Sequence, residues 1–455
     1  MSIPLNIDEL VDAEAGLVSP EVFHDQDLFA IEARKVFMRA WLFVGHDSMI
    51  PKPGDFIATH LGLNPVLLVR QRAGGVQVFL NACRHRGMKV CRADAGNARA
   101  FTCVFHGWSY GLDGQLSTVP LLDEAYGGKL DKSQFGLVAV PRVEHYKGLI
   151  FASFDPDAPP LLEYLGDMAW YLDAVIDRRE GGIEVLGGVH KIQHMGNWKM
   201  GAEQFAGDQY HTGSTHVSAR MSWREDELSL RGADPDAAIA EVFKPGYQFS
   251  TPAGHAVAGW RGDFEDVPGI PSRDFSLMQN YYEDTAQEVA DRLGAERVNG
   301  PSLSAGLVFP NFAFLTRVFG QNSFGLFHPR TPNTFEYWRY CVVDKAAPAE
   351  VKAAMLRNMH VWPLGVADAD DGENWSEIGN NLHAPAVRDT PLNYQMGAGD
   401  AIENHPVYPG AVTERFVAEE AQRNFFRRWQ DFMSSEQYPS VRPHTATHQR
   451  KVEVR

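Results

Sequence analysis

The chain has 455 residues, 44% hydrophobic and 22% charged, with a formal net charge of -16. That composition suits two or three ordinary globular domains, and the negative charge argues against a nucleic-acid partner, whose phosphates require a basic surface. No apolar run approaches membrane-spanning length, and the start Met1-Ser2-Ile3-Pro4-Leu5-Asn6 lacks the basic and apolar stretches of a secretory signal, so a cytoplasmic protein without membrane association is expected.

The first forty residues predict one helix, with Asp25 as its cap and Leu28, Ala30, Ile31, Phe37 and Met38 on its apolar side. Trp41-Leu42-Phe43-Val44 then turns strand-like, and residues 66–69, 76–80 and 148–152 are β-rich runs. Leu112-Asp113-Gly114-Gln115 reads as a hairpin turn, and the Pro-rich Asp155-Pro156-Asp157-Ala158-Pro159-Pro160 as a boundary. Beyond it, helices are predicted over residues 284–293 (closed by Gly294), 348–359 and 413–433, the last lined by Phe416, Val417, Phe425, Trp429 and Met433. Residues 307–309, 314–318, 323–327 and 338–343 read as successive antiparallel strands, and the Gly- and Pro-rich stretch 251–273 as a long loop. The expected organisation is a helical segment over 1–40, a small all-β domain over 41–155, and an α+β domain over 156–455 with a large antiparallel sheet and covering helices.

Cys83-Arg84-His85 and Cys103-Val104-Phe105-His106 pair two mixed Cys/His half sites within one short stretch. Two thiolates and two imidazoles so spaced suit a Rieske 2Fe-2S centre, in which two cysteines hold one iron and two histidines the other. Gly87 and Gly107, each just past a half site, let the loops turn tightly. Zinc also accepts Cys2His2, but its fingers group the cysteines together and the histidines together. With two of the four cysteines committed, Cys91 and Cys341 are expected to be free thiols.

A second constellation lies between Asn197 and His216, which reads as a helix as far as Gly213. Asp208 and His211, three apart, would share a face, and His216 follows the turn that Gly213 permits. Two histidines bind iron if a carboxylate joins them, and the acidic run Asp368-Ala369-Asp370-Asp371-Gly372-Glu373 offers donors. The arrangement of two histidines and one carboxylate leaves positions open on Fe(II) for oxygen. Alone, a histidine pair is more often structural and an acidic run more often a helix start. An electron-carrying cluster upstream reverses those odds.

Taken together, the C-x-H-R-G and C-x-x-H-G-W half sites, the N-W-K to G-D-x-Y-H-x4-H segment and the D-D-G-E-N-W segment resemble the large (α) subunit of Rieske non-haem iron ring-hydroxylating dioxygenases, of the naphthalene and biphenyl dioxygenase group. The resemblance covers nearly the whole chain. It implies that Cys83, Cys103, His85 and His106 hold the cluster, and that His211, His216 and Asp371 (rather than Asp370) hold one mononuclear Fe(II). It further implies a trimer in which Asp208 links His211 to His106 or His85 of a neighbouring copy, a carboxylate fixing the orientation of imidazole ligands. Three positions depart from relatives: Phe105 stands where many carry Tyr, Gln204 where the naphthalene type has Asn, and Ala367 where it has Trp. By the same alignment Gln204, Phe205, Ala305, Leu307, Leu315, Val361 and Ala367 line an apolar substrate pocket.

The implied activity is cis-dihydroxylation of an aromatic hydrocarbon, of biphenyl or polycyclic type, using O2. Electrons would come from NAD(P)H through a ferredoxin reductase and a ferredoxin, and a small β subunit would complete an α3β3 hexamer. A Rieske monooxygenase or salicylate-type hydroxylase would share every ligand named and differ by a charged group recognising an acidic substrate. A bare Rieske electron carrier needs only about a hundred residues, and the length of the chain weighs against it.

Overall fold

The computed structural model describes residues 6–216, 246–260, 274–299, 304–317, 322–361 and 363–442. The chain divides into two compact units, Phe37–Glu163 and a larger one in which Met1–Val36 joins Tyr164–Arg455. Among the described residues no helix is long and apolar enough to cross a membrane.

The smaller unit is built from antiparallel strands. Val76–Leu80, Asn64–Arg70, Asp55–Leu61 and Ala95–Asn97 form one sheet in that order; Arg142–Tyr146, Leu149–Ser153 and Leu42–His46 form a second; Leu116–Thr118, Ser109–Gly111 and Ala100–Thr102 a third. Val66 to Val69 are wholly buried, which explains why that run is apolar without alternation. One apolar cluster contains Phe56, Leu67, Phe79, Phe101, Trp108 and Tyr110 together with Cys83 and Cys103.

In the larger unit eight strands make one antiparallel sheet: β1 (Ile183–Met195), β2 (Gly246–Ser250), β3 (Ala256–Trp260), β4 (Ser304–Val308), β5 (Phe312–Thr316), β6 (Asn322–Thr331), β7 (Thr334–Asp344) and β8 (Ala411–Thr413), in the spatial order β1-β7-β6-β5-β4-β3-β2-β8. Six of its helices bear on the site: α1 (Gln26–Lys35), α2 (Trp198–Gly207), α3 (Phe275–Leu293), α4 (Ala349–Val361), α5 (Asp368–Asn381) and α6 (Glu420–Ser434). Helix α2 lies on the sheet over β3 to β7. Gly201 permits this close seat, because a Cβ there would collide with the ring of Phe327 on β6.

Several expectations are corrected. The predicted helix from Asn197 to Gly213 is broken at Asp208, which is extended (φ -73, ψ 99), and a short 3-10 turn follows over Tyr210–Gly213. The cause is local: the Asp208 carboxylate accepts from the backbone N–H groups of Tyr210 (2.9 Å) and His211 (3.2 Å), a competitor of the helical ladder. Thr413 closes strand β8 rather than opening a helix, and α6 starts at Glu420. Helix α3 starts at Phe275, well before Asp284. The supposed loop from Thr251 is instead the β2–β3 hairpin and strand β3; its remainder, 261–273, lies outside the described residues.

Helix α1 keeps the cap expected of Asp25, whose Oδ1 accepts from the Leu28 N–H at 2.8 Å. Its buried Glu32 then ties three helices together: Oε1 accepts from Lys199 Nζ (2.7 Å) and Trp429 Nε1 (2.5 Å), Oε2 from Trp198 Nε1 (2.7 Å). A buried carboxylate with three donors, one of them a cation, is satisfied, so burial here does not strand a charge.

Candidate metal centres

In the smaller unit the two half sites fold as twin turns. Cys83 N–H donates to Met88 O and Gly87 N–H to Cys83 O, each at 2.8 Å; Cys103 N–H donates to Trp108 O at 2.8 Å and Gly107 N–H to Cys103 O at 2.9 Å. Both glycines have φ 76, a conformation a side chain resists. The cysteines are buried at 4% and 2% exposure, and the imidazoles face each other with Nδ1 of His85 3.1 Å from Nδ1 of His106. Two buried thiols and two imidazoles whose Nδ1 atoms converge are the donor types of a Rieske cluster. Trp108 stacks flat on His85 at 4.9 Å. A hydroxyl near the sulfurs, absent at Phe105, is supplied by Tyr110: its OH lies 3.2 Å from Cys83 Sγ and accepts from the Arg84 N–H at 3.0 Å. Tyr110 sits two residues beyond Trp108 on a strand, so period-two spacing was the available signal.

In the larger unit His211, His216 and Asp371 each offer one ligand atom, all within 4.8 Å of one another. Asp371 Oδ1 lies 3.6 Å from His211 Nε2 and 3.5 Å from His216 Nε2, and this buried oxygen has no hydrogen-bond partner among the described residues. An unsatisfied carboxylate oxygen facing two imidazole nitrogens is what a divalent metal would complete. The other nitrogen of each ring faces a carboxylate: Asp208 Oδ2 is 3.3 Å from His211 Nδ1, and Asp370 Oδ2 is 3.2 Å from His216 Nδ1. Such partners favour the proton on Nδ1 and leave Nε2 for the metal. Burial alone would push His211 down, but the carboxylates of Asp208 and Asp371 together outweigh it and the imidazole is raised above its ordinary value. The role of Asp370 was not foreseen, because the two aspartates are adjacent in sequence and nothing local separates ligand from partner.

Gln204 completes this constellation. Its amide nitrogen lies 3.3 Å from His211 Nε2 and its Oε1 accepts from Trp375 Nε1 at 2.7 Å, connecting α2 to α5. Of the expected pocket residues, Ala305, Leu307 and Leu315 share one face of the sheet. Ala305 pairs with Leu315 and Leu307 with Ala313, Ala313 with Gly325, and Gly325 with Arg339, so these side chains share the sheet face that Phe205 of α2 packs against. Ala256 and Ala258, partners of Leu307 and Ala305, extend a wall of small residues. Ala367 precedes α5 and is buried, Leu307 has 0% exposure, and Val361 at the end of α4 is 52% exposed. Arg339, which the sequence reading did not single out, is on this wall and bound to Asp368.

Residues 40–142 match the family model described as Rieske [2Fe-2S] domain, and residues 169–435 that of the ring hydroxylating alpha subunit (catalytic domain). The chain is 40% identical over 456 residues to the biphenyl dioxygenase subunit alpha of Metapseudomonas furukawaii, covering 97% of this chain and 96% of that protein. It is 39% identical to the benzene 1,2-dioxygenase subunit alpha of Pseudomonas putida, covering 96% and 95%. Among solved structures, naphthalene 1,2-dioxygenase with indole bound in its active site superposes with a TM-score of 0.85 at 33% identity, covering 95% of each chain.

Proposed function

Because this chain belongs to the ring-hydroxylating dioxygenase α subunits, with a Rieske domain ahead of a catalytic domain that has a mononuclear iron site, we propose that it cis-dihydroxylates a neutral aromatic hydrocarbon of biphenyl or polycyclic type. The reaction balances as arene, O2, two electrons and two protons giving one cis-dihydrodiol. The electrons come from NAD(P)H by way of a ferredoxin reductase and a ferredoxin, and the assembly is an α3β3 hexamer with a small β subunit. When bound, the cluster supplies one electron at a time and the ferrous iron supplies open positions for O2.

The residues of the chain do the rest. Cys83, His85, Cys103 and His106 hold the cluster; His211, His216 and Asp371 hold the iron, with Asp208 and Asp370 orienting the two imidazoles. In the trimer Asp208 also reaches His106 or His85 of the neighbouring copy. Gln204, Phe205, Ala305, Leu307, Leu315, Val361 and Ala367 shape the pocket, whose small apolar wall admits a flat ring. The observation that carries the reading is the convergence of His211, His216 and Asp371 with a carboxylate behind each imidazole.

An electron carrier alone would have no use for a catalytic domain, which sets that reading aside. The acidic-substrate hydroxylase requires a free cation on the wall, and Arg339 is already tied to Asp368. The purified α subunit with its reductive partners, given biphenyl, naphthalene and salicylate, should yield dihydrodiols from the hydrocarbons. Turnover of salicylate alone would refute the proposal.

A further inference from the structure

Arg339 and Asp368 form a buried pair beside the iron ligands that no step of the chemistry uses. The guanidinium Nε donates to Asp368 Oδ2 at 3.1 Å and Nη2 to Oδ1 at 3.0 Å, while Nη1 donates to Ser323 Oγ at 2.9 Å. The side chains are 1% and 3% exposed. Three features relate the pair to the face read as the substrate wall. Ser323 is the register partner of Leu315, Asp368 directly follows Ala367, and the Phe205 ring is 5.7 Å from the guanidinium carbon. Asp371 is close enough to act on both partners electrostatically.

A buried pair of this kind is weak evidence for stability, since well-packed apolar side chains of similar volume serve as well. A guanidinium fork is, however, the natural receptor for a carboxylate, and here an internal carboxylate already fills it in the bidentate manner. Resting on the reading of this face as the substrate wall, we propose that Asp368 masks Arg339 and so makes it a specificity element. The mask confines the pocket to uncharged arenes, and loss of the Asp368 charge opens the same pocket to arene carboxylates. Asp368→Ser vacates the fork and Asp368→Asn leaves there a neutral amide that a carboxylate can displace, so an incoming benzoate-type carboxylate would restore the missing charge at the fork. Selectivity would come from what the site withholds as much as from what it offers.

The test compares holoenzyme with Asp368→Asn, Asp368→Ser and the double variant Arg339→Leu/Asp368→Leu, each with its iron content and Rieske absorbance recorded. Calorimetric titration with benzoate reads the mask independently of turnover, and products from biphenyl read the activity. We expect at least a tenfold gain in benzoate affinity for both single variants over the parent, and none for the double variant, which lacks the cation. Benzoate binding no tighter than the parent in both single variants overturns the proposal, as does an equal gain in the double variant. A parent that makes no diol from any neutral arene would instead defeat the reading of the substrate class, an outcome visible without any variant.

Discussion

Asp370 and Asp371 are neighbours in the chain with different tasks. Asp371→Ala removes an atom of the metal site, and metal analysis should find its iron gone with the Rieske absorbance intact. Asp370→Asn removes only the carboxylate behind His216 Nδ1, so iron affinity should fall by roughly 10–100-fold, the usual loss for such a partner. Equal iron affinity in Asp370→Asn and the parent would show that this contact orients nothing. Cys83→Ser or Cys103→Ser should abolish the cluster absorbance, since a hydroxyl poorly replaces a thiolate on iron. His255 carries a pH prediction. Its Nε2 donates to Tyr164 O at 2.8 Å and its Nδ1 accepts from the Phe309 N–H at 3.0 Å, a pattern only the neutral ring can make. Burial pushes it down to about 4 from 6.5, so its contribution is present above pH 6.5 and is lost as pH falls toward 4, about 3 kcal/mol in all. Urea unfolding across that window should lose less stability with falling pH in His255→Gln than in the parent. The Cys/His half sites, the His211–His216 pair and the acidic run at Asp371 were legible as local motifs; that Asp371 meets the two histidines, and that Arg339 meets Asp368, is decided by the fold.

Helix α2 is held from behind by the carboxylate of α1, a contact between residues more than 160 positions apart. Glu32→Ala would leave Lys199 buried and unpaired, at a cost of about 3–5 kcal/mol, whereas Glu32→Gln keeps acceptors for the donors and should cost less. Denaturant midpoints of the two variants measure the difference; indistinguishable midpoints would mean that the charge is irrelevant to the knot. Of the large sheet, β4 to β7 were readable from their β-branched and aromatic runs, to within a few residues at each end, whereas β1, β2 and β8 were not read as strands and β3 was read as loop. Helix boundaries fared worse where a polar side chain intervened. At Asp208 a side-chain to backbone bond ended α2 early, and this break turns His211 toward Asp371. The start of α6 was misjudged because the apolar run continues through strand β8; within the helix, buried Arg423 bonds Glu420 and Tyr394 O, and Arg428 bonds Pro439 O.

At the scale of the molecule, the proposed trimer makes Asp208 a residue of communication. Asp208→Asn keeps its shape and loses the charge that orients imidazole N–H groups, so both metal sites should survive while electrons pass slowly between copies. In rapid mixing with substrate and O2, the reduced cluster of this variant should persist where that of the parent reoxidises within a turnover; parent-like reoxidation would leave Asp208 as the local turn-former of α2. The two-domain plan, a small all-β iron-sulfur domain followed by an α+β catalytic domain, was legible because each metal motif lies in a segment of its own secondary-structure type. The membership of α1 in the larger unit was not, since it depends on Glu32 meeting residues of α2 and α6. The central claim is that one O2 gives both its atoms to an arene in this protein, and single turnover of the reduced holoenzyme with biphenyl under 18O2 tests it most directly. Mass spectrometry should find both hydroxyl oxygens of the cis-dihydrodiol labelled, and under mixed 16O2 and 18O2 no product with one of each; a product carrying one labelled oxygen, with the other from water or absent, would contradict it.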